Sequence, residues 1–177
     1  MTKNIIIKER KTNMGTVKIN INKIRPEAVI PTKRDEDGCF DIYAAFDEES
    51  LLIAPHDTVL VPTGIRTNFD KKYRIILKER GTNAKVKLMV QAGVIDSGYT
   101  GEWFVALYNG NDIPVIIEKK QIDLRLGKNE IIFPYHKAIA QASVEIVPNS
   151  EFVLMSDEDF DNIKTERGNG KLGSSGK

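Results

Sequence analysis

Residues 86–109 read VKLMVQAGVIDSGYTGEWFVALYN. Two apolar runs, VKLMVQ (86–91) and WFVALY (103–108), flank GVIDSGYTGEW (93–103), in which a Ser-Gly turn follows Asp96. Runs rich in valine and aromatic residues, punctuated by glycine, make strands joined by tight turns. The same period of two recurs outward in both directions. It predicts strands over 16–22 (TVKININ), 40–45 (FDIYAA), 58–66 (TVLVPTGIR), 73–78 (YRIILK), 113–118 (IPVIIE) and 139–147 (IAQASVEIV). Asp37-Gly38, Pro62 to Gly64, Gly81 to Asn83 and Asn109 to Asp112 separate them as turn signals. Many short strands so punctuated predict an all-β protein, a barrel or sandwich of the jelly-roll kind. No long segment has a helical period. The best helix candidate is short, with Ser156 as N-cap before acidic residues at 157–159, which suit the positive end of a helix.

Composition narrows the class. The 177 residues, 41% hydrophobic and 29% charged, suffice for one domain with a core and exclude disordered, collagen-like and membrane-spanning chains. No window approaches the roughly 20 apolar residues a bilayer demands, and the charged N-terminus lacks a signal peptide's apolar core. The one cysteine, Cys39, allows neither an internal disulfide nor a cysteine cage for metal. A reduced, cytoplasmic setting is expected. Charge is uneven along the chain: nine Lys/Arg against two acids in 1–34, then nine acids against one base in 35–70. The net charge of +1 lacks the basic excess of a nucleic-acid binder, so neither nucleic acid nor membrane is an expected partner.

Three regions stand apart. Residues 1–13 read as an N-terminal extension before a domain spanning 14–165; within them IIIKERKTN (5–13) matches IILKERGTN (75–83) at seven of nine positions. Residues 119–135 (KKQIDLRLGKNEIIFPY) read as a surface hairpin or insertion. Residues 166–177 (ERGNGKLGSSGK) form a tail rich in glycine, serine and bases. Such a tail is either a disordered, solubilising end or a phosphate grip. In the second reading glycine turns backbone N–H groups toward an anion, serine adds hydroxyls and Arg167 adds a guanidinium fork. The hairpin at 93–103 is likewise open to two readings. It is an ordinary turn, or its bend leaves backbone groups free for the polar edge of a pyrimidine, with Tyr99 flat against a sugar and Asp96 a base toward water.

The motifs taken together resemble a family, the trimeric dUTP diphosphatases (dUTPases), over most of 15–177. DGCFDIYA (37–44), KERGTNA (78–84), GVIDSGYTGEW (93–103), AIAQ (138–141) and RGNGKLGSSG (167–176) are similar to its five ordered motifs; a phage or Firmicutes-type member is the kind implied. The resemblance implies a jelly-roll-like β-barrel with a flexible glycine-rich C-terminal arm. It also implies a homotrimer with sites at subunit interfaces, and hydrolysis of dUTP to dUMP and pyrophosphate. Asp96 is then the general base for water attacking the α-phosphate. Gly93, Ile95 and Tyr99 hold the nucleoside, with Gln91 a further uracil contact. Arg80, Gly81, Thr82 and Gln141 face the phosphates, while Arg167, Leu172, Gly173, Ser174 and Ser175 close from the tail. Magnesium is carried by the triphosphate and waters, not by a protein cage, with Asp41 near that water shell.

Departures are also visible. Gly81 stands at a usual serine, Lys137-Ala138 at a usual Asp-Arg, Leu172 at the tail's aromatic and Cys39 at a glycine. Two rivals remain. A dCTP deaminase shares the fold but needs a glutamate on the strand after the hairpin, where this chain has Ala106. A regulatory binding protein on the same scaffold would use the basic N-terminal third or 119–135 for its partner.

Overall fold

The computed structural model describes residues 15–120, 123–166 and 168. The expected extension 1–13, with its repeat at 5–13, lies outside them. The chain divides into two units, 1–147 and 148–177.

The first unit runs β1 (Ile19–Lys23), β2 (Phe40–Ile42), β3 (Ser50–Ile53), β4 (Thr58–Pro62), β5 (Ile65–Phe69) and β6 (Tyr73–Lys78), then the single helical turn α1 (Gly81–Lys85). There follow β7 (Leu88–Gln91), β8 (Val94–Asp96), β9 (Phe104–Asn109), β10 (Val115–Glu118), β11 (Arg125–Leu126), β12 (Ile131–Pro134) and β13 (Ala140–Ile146). They form sheets ordered β2-β13-β6-β8, β11-β12-β10-β3, β4-β9-β7 and β1-β5. This is the expected all-β, jelly-roll-like fold. Alternation does the work: in β5 the side chains of Ile65, Thr67 and Phe69 turn inward while Arg66 and Asn68 face water. Ile42, Ile53, Val61, Ile75, Leu107 and Ile117 from three of the sheets meet in one core, whose burial supplies the main stabilising term. Asn109 is buried without cost, because its amide nitrogen donates to the carbonyls of Ile53, Ala54 and Ile113.

Several expected boundaries move. The strand expected over 58–66 is two strands, broken at Thr63-Gly64. Gly64 has φ +66°, and a Cβ there would stand 2.7 Å from the Cβ of Ala28, so only glycine fits the turn. The strand expected over 16–22 is Ile19–Lys23, and that over 40–45 ends at Ile42. β3 and α1 were not expected: one is a short run after an acidic stretch, and the other is a single turn with no period to detect.

The larger correction concerns 119–135. Residues 125–126 do form an antiparallel hairpin with 131–132, but 131–134 is not surface. Ile131, Ile132 and Phe133 are buried, and β12 pairs in parallel with β10. A strand covered on both faces carries a continuous apolar run in place of alternation, which is why IIFP looks like neither strand nor loop. Ile132→Val is expected to cost about 0.5–1.5 kcal/mol, against less than about 0.5 kcal/mol for Leu126→Val on the exposed arm of the hairpin. Urea denaturation of the two variants measures the difference.

The second unit holds α2 (Asp157–Asp161), and Ser156 is its N-cap as the sequence predicts: the hydroxyl accepts the Asp159 N–H at 3.1 Å. Phe152 and Leu154 are almost fully exposed. Among the described residues no helix is long and apolar enough to cross a membrane.

Candidate active site

The sheet β2-β13-β6-β8 carries Asp41, Ile95, Asp96 and Gln141 of the candidate residues, and its register arranges them. Asp41 pairs with Gln141, and Gln141 with Lys78. Four residues back along β6, Arg74 pairs with Glu145 on one side and with Asp96 on the other. Ile75, Leu77, Ile95, Ala140 and Ala142 fill the core beneath, so strand alternation turns Asp41, Gln141, Lys78, Glu145, Arg74 and Asp96 onto one outer face.

Two clusters result, at opposite corners of that face. At the first, Arg80 follows directly from β6 and grips Asp41 with a fork. Its Nε lies 2.9 Å from Oδ1, and its Nη2 donates to Oδ2 at 3.2 Å. Its Nη1 donates to the carbonyl of Ala138. The Gln141 amide donates to the Glu79 carbonyl at 2.7 Å. Arg80 and Asp41 border an open cleft of about 320 Å³ lined also by Tyr43, Thr82, His136, Lys137 and Ala138. Gly81 and Thr82 open α1, whose start has no side-chain cap, and Asn83 fixes the turn by donating to the Ile139 carbonyl.

At the second corner, β8 is an edge strand, so the backbone groups facing away from β6 have no ladder partner among the described residues. Gly93 brings the chain in: its carbonyl accepts the Leu77 N–H at 2.7 Å. A Cβ on it would lie 2.5 Å from the Leu77 carbonyl oxygen, a contact no side chain survives. The Asp96 carbonyl accepts the Tyr99 N–H at 3.0 Å, which closes the turn. The Asp96 carboxylate is exposed and has no side-chain partner among the described residues, because Arg74 turns to Glu145. A hydrogen bond from Lys78, joined by others from Arg74 and Ser143, holds the Glu145 carboxyl below the usual carboxylate range.

Two residues that the sequence did not single out hold these parts. Glu102 accepts the Gly64 N–H at 2.9 Å and faces the Arg25 guanidinium, while its carbonyl takes the Tyr99 hydroxyl at 2.6 Å. Glu79 accepts the Val90 N–H. Both bind backbone groups, Glu102 besides its ion pair with Arg25, and such contacts leave no spacing signal in a sequence. Gln91 lies apart: it pairs with Ala106 on the β4-β9-β7 sheet and accepts a hydrogen bond from Thr58, and the chain leaves that sheet at Ala92, with φ +48°. Arg167, Leu172, Gly173, Ser174 and Ser175 lie outside the described residues.

The order and spacing of these parts match known proteins. A model of the dUTPase family matches residues 25–122. The deoxyuridine 5'-triphosphate nucleotidohydrolase of Helicobacter pylori is 32% identical over 165 residues, 90% of this chain and 97% of that protein. The chain belongs to the dUTPase family. The similarly named protein of Leptospira interrogans is 28% identical over 90% of this chain and 99% of its own. Among solved structures, a mutant dUTPase of Staphylococcus bacteriophage 80alpha with dUpNHpp superposes with a TM-score of 0.70 at 22% identity. The match covers 90% of this chain and 99% of that one, and it shows the shared fold.

Within a dUTPase frame the two clusters pose a geometric question. Asp96 and Asp41 are separated by three strand spacings and four residues of strand, roughly 20 Å on a flat lattice, and Arg80 lies beyond the near end of that span. One chain therefore does not bring Asp96 and the Arg80 cleft onto one triphosphate. Among the described residues no three His, Cys, Asp or Glu side chains gather where they would hold a metal directly. Asp41 nonetheless fits a magnesium ion carried by substrate. Arg80 occupies one lone pair on each oxygen, and the other two remain to accept hydrogen bonds from the ion's waters.

Proposed function

We propose that the protein hydrolyses dUTP to dUMP and pyrophosphate, at sites assembled from neighbouring copies in a homotrimer. The feature that carries this reading is the hairpin at 93–99: an edge strand whose outer backbone groups have no ladder partner among the described residues, ending in a carboxylate that no described side chain engages. Those backbone groups suit the donor and acceptor pattern of uracil. Cytosine reverses that pattern and would leave buried groups unpaired, and thymine adds a methyl where the chain closes in. Tyr99, tied at its hydroxyl, offers its ring to the deoxyribose.

In the reaction, Asp96 takes a proton from water as the water oxygen bonds to the α-phosphorus. The bond from that phosphorus to the bridging oxygen breaks, and pyrophosphate leaves. Positioning and charge stabilisation supply much of the acceleration. Magnesium neutralises phosphate charge when bound with the substrate. The tail 166–177 would close over the phosphates and exclude water.

A trimer accounts for the split clusters, because closed symmetry sets the hairpin of one copy beside the cleft of the next. The exposed apolar side chains of Leu60, Met89, Val94 and Phe104 suit burial between copies. Deamination has no support, since Ala106 holds no acid where that reaction would need one. Pyrophosphate release from dUTP, dCTP, dTTP and UTP, with and without magnesium, tests the assignment. Turnover of dUTP with magnesium is expected to exceed each of the others by about a hundredfold or more. Equal turnover of dCTP or UTP would overturn the specificity argument.

A further inference from the structure

The cleft at Asp41 and Arg80 contains a cation with no partner among the described residues. Arg80 is engaged in two directions, with Nε and Nη2 on Asp41 and Nη1 on the Ala138 carbonyl. Together Arg80 and Asp41 bring no net charge to the cleft. Lys137 lines the same cleft. It is half-buried, and its ammonium has no hydrogen bond or ion pair among the described residues.

Its backbone is fixed from both sides. The Lys137 N–H donates to the Pro134 carbonyl at 3.0 Å, and two residues on the Ile139 N–H donates to the Ile42 carbonyl at 2.8 Å. Pro134 ends a buried strand and Ala138 is itself buried, so the core dictates where this lysine stands. The Lys137 ammonium brings to the cleft a positive charge that no described carboxylate neutralises, and a bound anion would supply the counter-charge. His136, exposed on the same rim, adds at most a second positive group. The Thr82 hydroxyl supplies a neutral donor.

We infer that Lys137 binds the β- and γ-phosphates of the substrate and makes the cleft select a nucleoside triphosphate over a monophosphate. The inference rests on the dUTP reading above and assigns the leaving-group charge to this residue. Arg80 and Asp41 then act as a rigid wall that orients the polyphosphate, while Lys137 supplies the attraction.

Lys137→Met, with Lys137→Arg as the conservative rescue, tests the assignment. The methionine variant is expected to raise KM for dUTP and the inhibition constant of inorganic tripolyphosphate by about tenfold or more, the loss of one charged hydrogen bond. Inhibition by dUMP, which lacks both outer phosphates, should shift less than about twofold, because only the attraction between charges is lost. The arginine variant should recover most of the loss. Unchanged tripolyphosphate binding by the methionine variant overturns the assignment, as does an equal loss of dUMP binding, which would mark a merely structural lysine. In either case dUTP turnover by the unaltered protein still stands. Absence of that turnover would instead overturn the diphosphatase reading. Lys137→Gln carries the same test should the methionine variant not fold.

Discussion

Asp96→Asn is expected to lower kcat for dUTP by about 10²–10⁴-fold, the usual worth of a positioned base, while binding of a non-hydrolysable dUTP analogue stays within about threefold. The structure isolates the effect. The turn is closed by the Asp96 carbonyl, which accepts the Tyr99 N–H and survives the substitution. The carboxylate is exposed and bonds to no side chain among the described residues, so an amide of the same shape removes no packing and no internal hydrogen bond. What is lost is the capacity to accept water's proton. A group that acts only as the bond forms lowers kcat and kcat/KM together. Pyrophosphate release gives the rates and equilibrium titration gives the affinity. An unchanged kcat would remove Asp96 from the chemistry, whereas a lost affinity would make it a binding residue.

The hairpin was legible in the sequence because two constraints coincide there. Gly93 is needed where the chain nearly touches the Leu77 carbonyl, and Asp96-Ser97-Gly98-Tyr99 must close a tight turn; both demands fall on residue types that few others replace. Period-two alternation revealed β6 and β13 for the same reason, since one face is core and the other water. It failed at β12, where Ile131, Ile132 and Phe133 are buried on either side and no alternation exists to read. It also failed at α1, a single turn.

In the site, a family resemblance pointed to Arg80, Asp41 and Gln141. That Arg80 is committed to Asp41, and so leaves Lys137 without a partner among the described residues, is a fact of three dimensions. The substitution of Lys137-Ala138 for an Asp-Arg pair reads in sequence as an ion pair lost or supplied elsewhere. In the structure Arg80 pairs with Asp41 close to these two residues. Glu79 and Glu102 were invisible because both serve backbone groups. Gln91 shows the opposite limit: adjacency along the chain to the hairpin does not place it in the hairpin's sheet.

The separation of the two clusters leads to the most demanding result. Arg80→Ala leaves the Asp41 carboxylate facing the triphosphate without a counter-charge, so this variant, like Asp96→Asn, is expected to be nearly inactive alone. Unfolded together in equal amounts and refolded, the two should regain roughly a quarter of the unaltered activity. In the cyclic trimer proposed above, each site would take its hairpin from one copy and its cleft from the next. An intact site requires an Arg80→Ala chain, with Asp96 present, followed by an Asp96→Asn chain, with Arg80 present. Random assembly meets that condition at about one interface in four. If hairpin and cleft of a single chain served one substrate, every chain would carry a defect in its own site and mixing would restore nothing. Rates that stay at the level of the separate variants, in a mixture shown by mass to contain mixed trimers, would therefore reject the shared site. Rescue near a quarter would require that Asp96 and Arg80 reach the same triphosphate from different copies.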